Sequence, residues 1–299
     1  MVGVYDIIIV VSFLAVLSWT FIDSFSKIFI RRLGASKSIA IIAATGTIPM
    51  FVALLLIGMP AINYSQLPLL MLLSVIGGFA LFAGFALVYR SVESAGIANS
   101  FLLVELQPPL LILFGIAALG ESLNSIQIAS ILLIFLGIYF VTTTKGIKLD
   151  KSMVPSLVGN VMWTIYWIVV VETIMYFREY VIPMLLIRVM AMAFAAVFLT
   201  INGKAEGAAT RKNRNYYAKL TPIMILAIVV LAGIADGTGN VLFTFASFSN
   251  RVAIAAAILS MEPIIVWLIG IFVYKEKVTA MQKAGFVVAT IGYIALSLA

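Results

Sequence analysis

Apolar residues gather into ten runs, at about 5–27, 38–59, 67–89, 95–118, 124–144, 153–175, 181–201, 220–246, 251–274 and 279–298. Each is near the roughly 20 residues that a helix needs to cross a hydrocarbon core of about 30 Å. Helix is the structure these lengths require, because a spanning segment must satisfy its own backbone in lipid. A barrel would read as shorter alternating segments. Most connections are short. The longest, 202–219, opens on Gly203-Lys-Ala-Glu-Gly-Ala-Ala and continues into Arg211-Lys-Asn-Arg. The pattern predicts an all-α membrane protein of ten transmembrane helices.

The runs repeat. Residues 88–142 are echoed by 243–297 at a constant offset of 155: Pro108 by Pro263, Gly115 by Gly270, Glu121 by Glu276, Gln127 by Gln282 and Gly137 by Gly292. The same shift carries Gly78, Ala80 and Gly84 onto Gly233, Ala235 and Gly239. The chain therefore divides into two five-span repeats, 1–149 and 150–299. A unit with an odd number of spans inserts its two copies in opposite orientations. That is the plan of an inverted-repeat transporter, with its site near the midplane between the copies.

Composition narrows the class. The chain is 64% hydrophobic and 10% charged, with mean hydropathy +1.18. A soluble fold of this size needs far more charge on its surface. Cysteine and histidine are both absent, which removes disulfides and thiolate metal sites. A transported proton would ride on carboxylates, or on tyrosine or lysine. The amino terminus begins with Asp6 rather than a basic stretch and runs into a full-length span, so it does not read as a removable signal.

The net charge of +7 does not indicate nucleic acid, because the basic residues sit between spans. Sixteen of the 19 lie in or beside the connections after spans 1, 3, 5, 7 and 9; Arg178, Arg188 and Arg251 are the exceptions. The positive-inside rule then places the odd connections in the cytoplasm and both termini outside, in a plasma-membrane setting.

Buried ionisable groups are the first functional candidates, since each costs about 2.5–3.5 kcal/mol or more at the centre of a span. Glu262 lies midway between Arg251 and Lys275, and Glu105 has a similar depth in span 4. Gln107 is the counterpart of Glu262 at the repeat offset. Each position stands beside a proline, Pro108 or Pro263, which frees a backbone carbonyl. In span 8, Asp236, Asn240 and Thr244 form one stripe at i, i+4, i+8. Gly233-x-x-x-Gly237 on the same helix also suits simple helix packing.

Glu262, Glu105 and Asp236 are the proton-coupling candidates. Pro108, Pro109, Pro263, Gly78, Gly84, Gly233 and Gly239 are candidate bending points. Arg188 reads equally as a structural ion pair or as an anchor for a substrate carboxylate. Asp23, four residues before Lys27, reads as a local surface pair. Glu121 and Glu276 read as turn or helix-start residues. Trp19-Thr20 and Trp163-Thr164 are matching motifs in spans 1 and 6. With Asn160 and Tyr166, these tryptophans offer an apolar or cation–π wall, although ordinary packing explains such residues too.

The stretch Ser94-Ala-Gly-Ile-Ala-Asn-Ser…Pro108…Gly120-Glu121…Gln127…Gly137, and its second copy Ser260-Met-Glu-Pro263…Lys275-Glu276…Gln282…Gly292, resemble the EamA-like branch of the drug/metabolite transporter superfamily. Arg188 and Met162-Trp-Thr-Ile-Tyr166 resemble that family's seventh and sixth spans. The resemblance implies a transporter of small organic molecules, amino acids or related compounds first, and an exporter rather than an enzyme. Family habit puts both termini in the cytoplasm, the reverse of the charge count.

The whole reading is a secondary active transporter working by alternating access around a central acidic and aromatic cavity, exchanging substrate for protons. Its partners would be a small-molecule substrate, protons and membrane lipid, as a monomer or homodimer, with no nucleic acid, cofactor or metal. No P-loop is present to bind ATP. The rivals are an uncoupled facilitator or cation carrier of the same fold, an intramembrane enzyme, which the absence of histidine disfavours, and a non-transporting receptor or scaffold.

Overall fold

The computed structural model describes residues 4–58, 64–95, 107–142, 154–212, 220–248, 251–262, 264–265, 268 and 279–298. Among these the regular structure is helical: α1 (Val4–Leu33), α2 (Ala35–Thr45), α3 (Ile48–Ile57), α4 (Leu67–Ala95), α5 (Gln107–Ala117), α6 (Ser125–Thr142), α7 (Val154–Phe177), α8 (Val181–Lys212), α9 (Pro222–Phe248), α10 (Val252–Leu259) and α11 (Ala280–Leu298). Six stretches are long and apolar enough to cross a membrane: Ile7–Leu33, Ala35–Ile57, Leu67–Val92, Val154–Phe177, Val181–Gly203 and Pro222–Phe248. The shorter helices α5, α6, α10 and α11 fall on the remaining apolar runs.

The surface is that of a multi-pass membrane protein. Leu55, Leu56, Ile223 and Leu298 are each at least 80% exposed, a cost that lipid removes. The polar minority turns inward, so that Ser74, Ser156, Thr173 and Arg188 are buried. Many of the hydroxyls return to their own helix; Ser74 Oγ, for instance, donates to the Leu70 carbonyl at 2.7 Å. Every residue of α10 is buried, which makes it a central helix.

The packing is symmetric under exchange of the halves. The pairing of α4 with α7 is matched by that of α9 with α1, and α4 with α8 by α9 with α2 and α3. The pairs α5–α10, α6–α11 and α2–α8 each map onto themselves. The match extends to single atoms. A Cβ on Gly137 would stand 2.4 Å from the Ala289 nitrogen and 2.6 Å from the Gly285 carbonyl oxygen. A Cβ on Gly292 would stand 2.9 Å from the Ile134 nitrogen and 2.8 Å from the Ser130 carbonyl oxygen. At the offset of 155 these are the same two contacts, so the repeated glycines mark the crossing of α6 over α11.

Among the described residues, two spans are interrupted. Span 2 breaks at Gly46–Thr47, between α2 and α3. Span 9 tightens at Ser260–Met261, where α10 ends and the bonds shorten to Met261 N–H onto Ile258 and Ile264 N–H onto Met261. By contrast, α4 runs unbroken through Gly78 and Gly84, and α9 through Gly233 and Gly239. In this conformation those glycines admit neighbours: Gly78 receives α8 at Met190 and Ala191, and Gly233 receives α2 at Ile42 and Thr45.

Candidate functional site

A cavity of about 640 Å³, its mouth included, opens between two groups of helices. One group is α1, α9 and span 9; the other is α4, α5 and α7. Its lining follows the repeat. Leu81 and Asp236 occupy equivalent positions at the offset of 155, as do Phe85 and Asn240, and Gln107 and Glu262. In spans 1 and 6 the matching tryptophans set a register of 144, which pairs Trp19 with Trp163, Ile22 with Tyr166 and Asp23 with Trp167. Both halves thus contribute the same backbone positions with different chemistry.

The tryptophans are seated by glycines of the opposite half. A Cβ on Gly84 would lie 2.1 Å from Cδ1 of Trp163, and one on Gly239 would lie 2.8 Å from Nε1 of Trp19. Phe85 meets Trp163 edge-on at 5.2 Å between centroids. Trp167 is wedged among Trp19 at 5.7 Å, Tyr166 at 4.8 Å and Phe243 at 4.5 Å. Such tilted contacts suit aromatic quadrupoles and hold the rings in place.

Beneath the cavity runs a chain of polar groups. Arg188 on α8 donates to Oδ2 of Asp236 on α9, and both are buried. Asn240 Nδ2 donates to Oδ1 of Asp236 at 3.1 Å and to its backbone carbonyl at 2.6 Å. The Tyr166 hydroxyl on α7 donates to Oδ1 of Asn240. Gly46 makes room for the guanidinium, since a Cβ there would stand 2.4 Å from Arg188 Nη2. The break in span 2 thus gives the buried arginine its berth. Arg188 is ion-paired with Asp236 and is not among the residues that line the cavity.

Of the sequence candidates, Glu262, Asp236, Asn240, Gln107, Trp19, Trp163, Tyr166 and Pro108 line the cavity together. Asn160 is buried on α7 away from it. Glu105 and Pro263 lie outside the described residues. Asp23 differs from its reading as a local surface pair. It lines the cavity together with Glu262. The signal for it was the register of the tryptophan motifs, which places Asp23 where the other half has Trp167.

Glu121 also acts beyond its own turn. Its carboxylate accepts from the backbone N–H groups of Val252 at 2.7 Å and Ala253 at 2.9 Å, capping α10 of the other half. Gly115 leaves space for that carboxylate, whose Oε1 would lie 3.0 Å from a Cβ there. Burial pushes the Glu121 carboxyl above its ordinary value, against the pull of the two amides and of Arg251. Among the described residues, no cluster of three or more acids could hold a metal ion.

A lipid-exposed helical bundle, exchange-symmetric halves and a polar, aromatic cavity between them define a membrane transporter of small solutes. Matches to the EamA-like transporter family over residues 6–143 and 152–298 place the chain in that family. A chain described only as "Crystal structure of protein" matches with a TM-score of 0.67 at 17% identity, over 97% of this chain and 98% of its own. At that identity the likeness is one of fold. Among curated proteins no match was found.

Proposed function

We propose that this protein is a secondary active transporter that moves a small organic metabolite out of the cell by alternating access, in exchange for protons. Ten spans form two inverted repeats, 1–149 and 150–299, and the two helix groups rock about the cavity. The observation that carries this reading is the lining itself, in which six pairs of equivalent positions converge on one space. Inverted halves that share these positions can exchange roles about a pseudo-two-fold axis, as alternating access requires.

Glu262 is the exchange site. It follows the interruption of span 9 at Ser260–Met261, where freed backbone and a carboxyl meet a cation. Proton and substrate exclude one another there. The charge bias puts the odd connections in the cytoplasm of a plasma-membrane protein.

The test is counterflow in proteoliposomes under an imposed pH gradient. Solute uptake driven by an opposed proton gradient, and lost with Glu262→Gln, is the expected result. Flux that ignores the gradient in the unaltered protein makes it a facilitator instead. Undiminished coupling in the variant removes Glu262 from the mechanism.

A further inference from the structure

We infer that the cavity selects an organic cation, a protonated amine on an apolar or aromatic body, over a zwitterion of the same body, and that Asp23 and Glu262 together hold its ammonium. This rests on the cavity being the transport site. It narrows the expectation from family resemblance, in which amino acids come first.

The two walls of the cavity differ in kind. The three acids, Asp23, Asp236 and Glu262, all belong to the group formed by α1, α9 and span 9. Across from them, α4 and α7 present Leu81, Phe85, Trp163 and Trp167. The repeat supplies equivalent positions to both walls, yet the acid of each matched pair stands on the same side. A solute lying between them is drawn with its charged end toward one wall and its body toward the other. An ammonium near the indole faces gains further attraction from the ring quadrupoles.

Asp236 is already committed to Arg188 and Asn240. Glu262 and Asp23 stand on the same wall of the cavity. Oε1 of Glu262 is buried without a hydrogen-bond partner. Gln107, only 6% exposed, lines the cavity with it. Polar groups so enclosed are costly unless something bonds them. An ammonium donates in three directions, and these acceptors match it.

The same accounting disfavours a substrate carboxylate. Among the described residues that line the cavity none is basic, and Arg188 is turned to Asp236. A solute carboxylate would enter beside the acids Asp23 and Glu262, and like charges in an enclosed site cost several kcal/mol.

Three probes share one body and differ in charge: 2-phenylethylamine, phenylalanine and 3-phenylpropionate. Three of the four tryptophans line the cavity, so intrinsic fluorescence of the purified full-length protein reads their binding. The amine should bind at least about tenfold more tightly than phenylalanine, with 3-phenylpropionate weaker still. Asp23→Asn and Glu262→Gln should each weaken the amine about tenfold or more, and Asp23→Glu should keep most of the affinity.

Equal or tighter binding of phenylalanine overturns the inference, as does absence of amine binding, or full amine affinity in Asp23→Asn. The wild-type panel decides the selectivity even where a variant fails to fold. Counterflow with the same probes separates this inference from the transport reading. Flux of phenylalanine but not of the amine sinks the inference alone; amine binding without flux of any probe sinks the transport reading alone.

Discussion

Gly84 and Trp163 meet across the two halves so closely that glycine alone fits: a single added carbon would lie 2.1 Å from Cδ1 of the indole. Trp163 also packs on Phe85, so the ring has little freedom to withdraw. Gly84→Ala should cost about 1–3 kcal/mol by overpacking and weaken ligands of the cavity. Adding Trp163→Leu should recover most of the stability. Gly137→Ala should not be rescued by any side-chain change, because its Cβ would meet the backbone of α11. Apparent melting temperatures of the four proteins in detergent check both statements.

The Arg188–Asp236 pair predicts strong non-additivity. Arg188→Met or Asp236→Leu alone leaves a buried charge unpaired and should cost about 3–5 kcal/mol. The double variant should lose much less than the two together. A double-mutant cycle by thermal or chemical unfolding measures the coupling. An additive result would mean that the two side chains act independently.

The cap on α10 has a pH signature. Because burial holds the Glu121 carboxyl above its ordinary value of 4.5, the folded protein binds that proton more tightly than the unfolded chain. The resulting stability is fully present below about pH 4.5 and is lost as pH rises through the folded value. Glu121→Gln should flatten the melting temperature across that window. Glu121→Ala should cost about 0.5–2 kcal/mol at every pH, through loss of the cap. Parallel melts of the three proteins at a series of pH values decide it.

Inversion can be read chemically, since the chain has no cysteine of its own. Ser125 and Ala280 are equivalent at the offset of 155, and each begins a helix with an exposed side chain. Ser125→Cys should react with an impermeant maleimide from outside intact cells. Ala280→Cys should react only after the membrane is opened. Labelling of both from the same side would contradict opposed insertion of the halves.

The repeat was legible because it is written in residues with few substitutes. Gly137 and Gly292 recur where two backbones touch, and Glu121 caps a helix start in the other half. Gln127 closes a reciprocal box with Asn124, each side chain accepting from the other's backbone N–H.

What periodicity left open was direction. Asp23 stands four residues from Lys27, and spacing alone favours a local pair. Only the packing of α1 against α9 and α10 turns it inward. Arg188 read as an ion pair or an anchor without its acid being fixed, because Asp236 comes from another helix with no periodic relation to it. The break at Gly46 lay unnoticed inside an apolar run, since its cause is the guanidinium that rests there.

The crossing of α6 over α11 has one last implication. These helices pack chiefly on each other and stay clear of the cavity lining. A covalent staple between them would restrain neither wall, so the molecule could be clamped or tethered there and still turn over. A similar staple between α1 and α7 would lock it.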